Sequence, residues 1–317
     1  MASPDWLMST RVAVVAGKGG VGSSTVAAAY ALAAAREGAD VLFVAVDGRP
    51  GMGPLLGGRE LDSSDRILRR IKGAGQVRGR TIPADQAFGD YLELKGVGGM
   101  LRRAASAASL PMVAAATPGL EHLLVLGKIK ELERERAADL IVVDAPPAGH
   151  AATFLRSATG LSDVVQSGPV REQSLEVDAM LRDPARCQAM IVTLPEETPV
   201  TEALELGEEL RSDIGLSLLP AVVNSCWPDR RGLAMTPAMA ARSQKVKLSA
   251  AAKSALASST DFGRDRLARQ RQQIERLAVD IGVALVALPR LATPRLTLHQ
   301  LGELADALVG PMIGGTP

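Results

Sequence analysis

Residues 17–25 read Gly-Lys-Gly-Gly-Val-Gly-Ser-Ser-Thr, between an apolar run and an alanine-rich segment. Glycines at this density let backbone N–H groups close around phosphate oxygens, and a helix starting after them turns its positive end to the same charge. Against the phosphate-loop pattern G-x-x-x-x-G-K-[ST], Gly17 and Gly22 hold the glycine positions and Ser24 supplies the hydroxyl that ligates Mg²⁺. Ser23 stands where the pattern has lysine. A neutral hydroxyl there cannot place positive charge between the β- and γ-phosphates, so ATP binding and hydrolysis in this pocket should be weakened. Backbone donors from Gly19, Gly20, Val21, Gly22, Ser23, Ser24 and Thr25 remain, and the cation of the loop is Lys18 at its second position.

Other residues with chemical potential lie at the ends of apolar runs. Asp144 opens Asp-Ala-Pro-Pro-Ala-Gly-His, where a carboxylate can hold Mg²⁺ through water and a loop can sense a γ-phosphate. His150 closes that segment; acid-base or metal chemistry is one reading and a conformational role the preferred one. Asp47, Asn224 and Pro289 each end a run and are read either as site residues or as ordinary turn residues. Cys187 and Cys226 are isolated and build neither a disulfide framework nor a zinc site.

These residues need a parallel sheet to position them. Buried strands are expected at 11–16, 41–46, 139–143, 189–194, 217–223 and 283–288, with a weaker one near 79–83. Helices are expected at 24–37, 118–136, 199–212, 262–281 and 297–309, which makes the chain an α/β protein with helices on both faces of a twisted, mostly parallel sheet. Residues 84–136 hold consecutive helical segments and read as a small cap. The polar, alanine-rich stretch 229–260 reads as a mobile surface segment with some helix.

Composition narrows the function classes. With 36 basic and 35 acidic residues the net charge is +1, so the overall balance points neither to nucleic acid nor to an anionic membrane, although a local basic patch stays open. Aromatic residues make up only 3%, which leaves little for stacking platforms. The opening Met-Ala-Ser-Pro-Asp-Trp-Leu-Met-Ser-Thr-Arg lacks the pattern of a signal peptide, no run is long enough to span a bilayer, and a cytoplasmic location is expected.

The loop resembles the class in which G-K-G-G-x-G-K-[ST]-T supplies two lysines, and the DAPPAGH segment resembles the D-T-A-P-T-G-H switch of the ATPases that drive arsenite pumps and target tail-anchored proteins. Asp144, Pro147, Gly149 and His150 match that switch by position. Pro118-Gly119-Leu120-Glu121 resembles the P-G-[IL]-x-E stretch, with its glutamate one position early. KGGVGSST, VDGRPG, LVLGKIKE and VVDAPPAGH together are most similar to actinobacterial-type arsenite-ATPase-like subunits that occur as paired paralogues. The resemblance implies that Lys18 reaches across a dimer interface to a partner's phosphates. It implies that Asp47 orients the attacking water, that Asn224 pairs with the adenine edge and that Pro289 lies beside the base.

Departures from the family pattern matter equally. Gly48-Arg49-Pro50 replaces P-A-H after Asp47; no C-x-x-C pair is present, so no zinc is expected; and fewer than forty residues separate 150 from 189, too few for a full groove for a membrane helix. Met100 and Met112 are read as core packing rather than a client surface. The expectation is one domain over 1–317, with a helical subdomain inserted at about 84–136 and 151–186. It would bind ATP or ADP with Mg²⁺, pair with a paralogous subunit or itself, and couple nucleotide state to caps that hold a protein client, without nucleic acid or stable membrane insertion. A non-hydrolysing scaffold is the alternative; a partition-type or septum-positioning ATPase would need a basic DNA-binding face or a terminal amphipathic membrane helix, and the C-terminal LVGPMIGGTP supplies neither.

Overall fold

Short apolar runs that are hydrophobic at every position can be buried only from both sides, and the described residues achieve that with a nine-stranded sheet between two helical layers. The computed structural model describes residues 4–46, 48, 50–94, 119–146 and 148–314. Its strands are β1 (Val12–Ala16), β2 (Asp40–Ala45), β3 (Arg66–Arg70), β4 (Gln76–Thr81), β5 (Leu140–Asp144), β6 (Cys187–Thr193), β7 (Ser217–Leu218), β8 (Ala221–Cys226) and β9 (Leu285–Pro289). They run in the order β3-β4-β2-β5-β1-β6-β8-β9, with the short β7 also on β6. Among the described strand pairs only the edge pair β3–β4 is antiparallel.

The described helices are α1 (Ser23–Arg36), α2 (Met52–Leu55), α3 (Ala84–Leu94), α4 (Leu120–Arg134), α5 (Ala148–Val164), α6 (Pro169–Arg182), α7 (Glu197–Glu208), α8 (Pro237–Ser243), α9 (Ala250–Asp280) and α10 (Leu298–Leu308). Along β1, Val12, Val14 and Ala16 face the core shared by α4, α5, α6 and α7, while Ala13 and Val15 face the core built on α1 and α10. Alanine is what lets α1 lie so deep: Ala27, Ala28, Ala29, Ala31, Ala34 and Ala35 are all wholly buried. Its one aromatic side chain, Tyr30, donates its hydroxyl to the carbonyl of Leu7 at 2.8 Å, and burial raises its pKa far above the usual phenol.

Three elements differ from the sequence expectation. The 217–223 run divides into β7 and β8, because Pro220 has no N–H to continue the ladder beyond the bond from Leu219 to Ala189 of β6 at 2.8 Å. The edge strand β3 carries four exposed residues around Leu68 and so shows no apolar run. The 262–281 helix starts twelve residues earlier, at Ala250, where Ser249 accepts from the N–H of Ala252 at 3.2 Å and alanine propensity sustains a first half with no buried residue. Met100, Met112 and Pro118 lie outside the described residues. The described helices α3 to α6 pack on one another, and their buried side chains are continuous with those of the sheet.

At the end of the sheet opposite the phosphate loop, Glu133 is 2% exposed and joins three elements. Arg186, at the entry to β6, donates to it at 2.6 Å, and Arg11, before β1, pairs with its other oxygen. The hydrogen bond to Glu133 raises the pKa of Arg186. Removing a buried carboxylate strands its cations, at a cost of about 3–5 kcal/mol when all partners are buried. Here Arg11 and Arg186 keep 38% and 26% exposure and regain some hydration. Glu133→Gln is therefore expected to lower stability by about 2 kcal/mol in denaturant titration, with an unchanged denaturant slope.

Candidate functional site

The carboxyl ends of β1, β2, β5, β6 and β8 converge on one edge of the sheet, where a parallel α/β fold gathers its ligand-binding loops. β1 delivers the chain into the phosphate loop and α1 takes it away. Two glycines fix the loop between its neighbours. A Cβ on Gly17 would lie 2.5 Å from the carbonyl oxygen of Val192 on β6. Gly22 has φ +89°, and a Cβ there would meet Asn224 Nδ2 at 2.4 Å. Gly22 is also the residue that caps α1, so no side chain covers the first turn of that helix. The N-terminal N–H groups at Ser23, Ser24 and Thr25 are thereby presented toward the loop rather than to a capping oxygen.

Asn224, in β8, fastens the other side. Its Nδ2 donates to the carbonyl of Val21 at 2.8 Å, and its Oδ1 accepts from the N–H of Ser225 at 2.8 Å. Ser225 takes φ +59° within the register shift between Val223 and Cys226, after which β8 pairs with β9 again at Cys226. The amide thus joins the end of β8 to the phosphate loop and keeps a second N–H and a second lone pair for a ligand. Pro289 ends β9 opposite Cys226, and the next residue, Arg290, bonds to the carbonyl of Cys226 at 2.8 Å.

Asp144 ends β5 at 4% exposure, in register with Val15 of β1 and Ala45 of β2. Its carbonyl accepts from the N–H of Val46 at 3.3 Å, so the exits of β2 and β5 lie side by side. Ser24 is the second residue of α1, at the same edge. A hydroxyl and a buried carboxylate are hard oxygen donors of the kind Mg²⁺ takes. Asp47, Arg49 and Pro147 lie outside the described residues, as does the side chain of His150.

The two positions that carry the loop's charge pattern are placed differently. Ser23 is buried at 6% exposure, so the missing lysine is replaced by an inward hydroxyl. Lys18 stands at the rim with its side chain 39% exposed, and its ammonium lies 3.5 Å from Glu202 of α7. Glu202 had no sequence signal: it is one of several glutamates on an amphipathic helix.

Beside the exits of β8 and β9, the guanidinium groups of Arg266 and Arg290 both lie 4.7 Å from the ring centre of Trp227. Gln270 holds the backbone of Trp227 at both ends, accepting its N–H at 2.8 Å and donating to its carbonyl at 3.1 Å. A cavity of 590 Å³ opens there between the start of α7 and α9, lined by Glu196, Trp227, Arg266 and Gln273 among others. No residue of 17–25 lines it, so it is separate from the phosphate loop. The cysteines offer no reactive thiolate: burial pushes the Cys187 thiol up to about 12 and that of Cys226 to about 11.

A family model described as anion-transporting ATPase matches residues 10–56, which span β1, the phosphate loop, α1, β2 and α2. The ATPase BagA of Mycobacterium tuberculosis is 37% identical over 234 residues, covering 71% of this chain and 68% of that protein. The arsenical pump-driving ATPase of Acidiphilium multivorum is 29% identical over 203 residues, and an Escherichia coli protein of the same description 28%. In both cases the match covers 61% of this chain and 31% of the longer relative. Phosphate loop, sheet order and relatives agree: the chain belongs to the arsenite-ATPase-like family of P-loop nucleotide-binding proteins, with the nucleotide-binding, ATPase-type character of that family.

Proposed function

We propose that this chain is the lysine-donating half of a cytoplasmic ATPase dimer, formed with a paralogous subunit whose own loop is complete or with a second copy. The observation that carries this reading is the separation of charge within the loop: the local position is a buried serine, while Lys18 stands at the rim. A cation at the rim is better placed to meet the phosphates of a neighbour than those of its own loop. In the proposed resting state Glu202 stows the ammonium, and a partner's nucleotide draws it away.

Within its own pocket, the chain would hold the phosphates with backbone N–H groups from Gly17 to Thr25. Ser24 and Asp144 would hold Mg²⁺, which when bound neutralises phosphate charge. Asp47 would orient water by accepting its hydrogen bond, and Asn224 and Pro289 would flank the base. Nucleotide state would then move α3 to α6, the described part of a helical subdomain at about 84–136 and 151–186, against a protein client. A second reading, a nucleotide-binding scaffold without hydrolysis, is favoured by the burial of Ser23 alone.

The test is the ATPase rate of the purified chain, alone and mixed with its copurifying P-loop partner. Addition of the partner is expected to raise turnover, and Lys18→Ala to lower the mixed rate on the order of 1,000-fold, as for other cations supplied in trans. An unchanged mixed rate with Lys18→Ala refutes the proposal. Because Lys18 and Glu202 are both partly exposed, their pairing holds the ammonium by ~1 kcal/mol or less. Glu202→Gln should accordingly raise nucleotide-dependent association by up to about fivefold, measured by sedimentation. Ser23→Lys is expected to tighten ATP binding roughly tenfold in calorimetric titration. If it does so while no partner restores turnover, the scaffold reading holds instead.

A further inference from the structure

Helix α9 is longer than the fold requires. Its 31 residues extend about 46 Å at ~1.5 Å per residue, whereas a return past the six-residue β8 needs about 20 Å. Buried residues begin only at Leu267, so the first half of the helix projects beyond the sheet. The chain leaves β8 at its carboxyl end and must re-enter β9 at the opposite end, which places the projection on the phosphate-loop edge. Residues 231–234 pin its base: the carbonyl of Leu233 accepts from Arg264 Nε at 2.6 Å. Helix α8 and the turn after it complete an arm with its tip between residues 239 and 256.

The near-neutral charge of the whole chain conceals the character of this arm. Between Asp229 and Asp261 there is no acidic residue, and six basic ones occur: Arg230, Arg231, Arg242, Lys245, Lys247 and Lys253. Lower on the helix, Arg264, Arg266 and Arg271 are paired with Asp261, Glu196 and Asp229. Among the described residues no carboxylate pairs with Arg242, Lys245, Lys247 or Lys253, and all four are exposed. Interleaved with them, Met239, Val246 and Leu256 are 54%, 53% and 45% exposed.

We propose that this arm docks on the surface of an anionic phospholipid membrane. Three of the eight lysines of the chain fall within nine residues at the tip. Lysine is depleted at protein interfaces, where arginine is preferred, but its long stem can lie along apolar surface with the ammonium among headgroups. Exposed valine, leucine and methionine between the lysines suit the acyl boundary, and the tip has no aromatic ring on which a base could stack. The contact is peripheral, since among the described residues no helix is long and apolar enough to cross a membrane. It does not depend on the lysine-donating reading.

The experiment is cosedimentation of the full chain with phosphatidylcholine vesicles, with and without phosphatidylserine, across a salt series. Binding is expected only to the phosphatidylserine vesicles and should weaken as salt rises. The combined K245Q/K247Q/K253Q variant should lose on the order of 100-fold in partitioning, and Val246→Ser a few-fold, with thermal unfolding unchanged in both. The proposal is overturned by absence of binding, by equal binding to neutral vesicles, or by anionic binding that the triple variant leaves intact. It is also overturned if those lysines prove instead to govern lipid-free self-association or binding of duplex or single-stranded DNA.

Discussion

The architecture of the site depends on how closely three strand ends approach one loop. Gly17 touches the carbonyl of Val192 and Gly22 lies against the amide of Asn224, so the loop is gripped from β6 and from β8. A methyl group at either point would demand a shift of backbone or of the only side-chain hydrogen bond that joins β8 to the loop in the described residues. The parallel register of β1 with β5 and β6 brings these ends level. Such rigidity would suit phosphate recognition by backbone N–H groups, because donors must already be aimed when an anion arrives. Loss of the local lysine leaves that part of the device intact.

Most of the fold was legible because burial on both faces writes itself as continuous apolar sequence. β1, β2, β5 and β6 are such runs, and each was expected within two residues of its position. The elements that escaped are those that bury little. β3 has only Leu68 inside, and the first half of α9 has nothing inside, so neither leaves an apolar period to read. In the site, Gly17, Gly22, Ser23 and Ser24 were legible from spacing, since a phosphate loop is local in sequence. Glu202 and the Trp227–Arg266–Arg290 stack were not, because each arises from elements brought together across long stretches of chain. Asn224 was found by its position at a strand end, but its bond to Val21 is a tertiary fact that spacing cannot express.

Helix α7 connects features that otherwise look independent. Its Glu202 faces Lys18, its Thr201 accepts from Arg276 of α9 at 3.0 Å, and Glu196 just before it pairs with Arg266 at 3.1 Å. Arg266 in turn lies over Trp227, which continues from the strand holding Asn224. The rim lysine, the base of the arm and the exit of β8 therefore share a single mechanical support. A shift of α7 along its axis would alter the contacts of Glu202, Thr201 and Glu196 together.

Magnitudes decide what holds Lys18 in place. A partly exposed ion pair is worth roughly 0.2–1 kcal/mol, because water screens the attraction and ordering two flexible chains costs entropy. A triphosphate carries several charges in a site from which water is largely displaced, and its attraction for an ammonium exceeds that of a single solvated carboxylate several-fold. On the proposed reading, Glu202 would set the position of Lys18 only while no phosphate is in reach. Such a weak holder would have an advantage over a strong one: it would keep the ammonium at the rim at little energetic cost and yield without a separate unlocking step. A buried partner would have kept the lysine permanently, and Ser23, already buried, offers none.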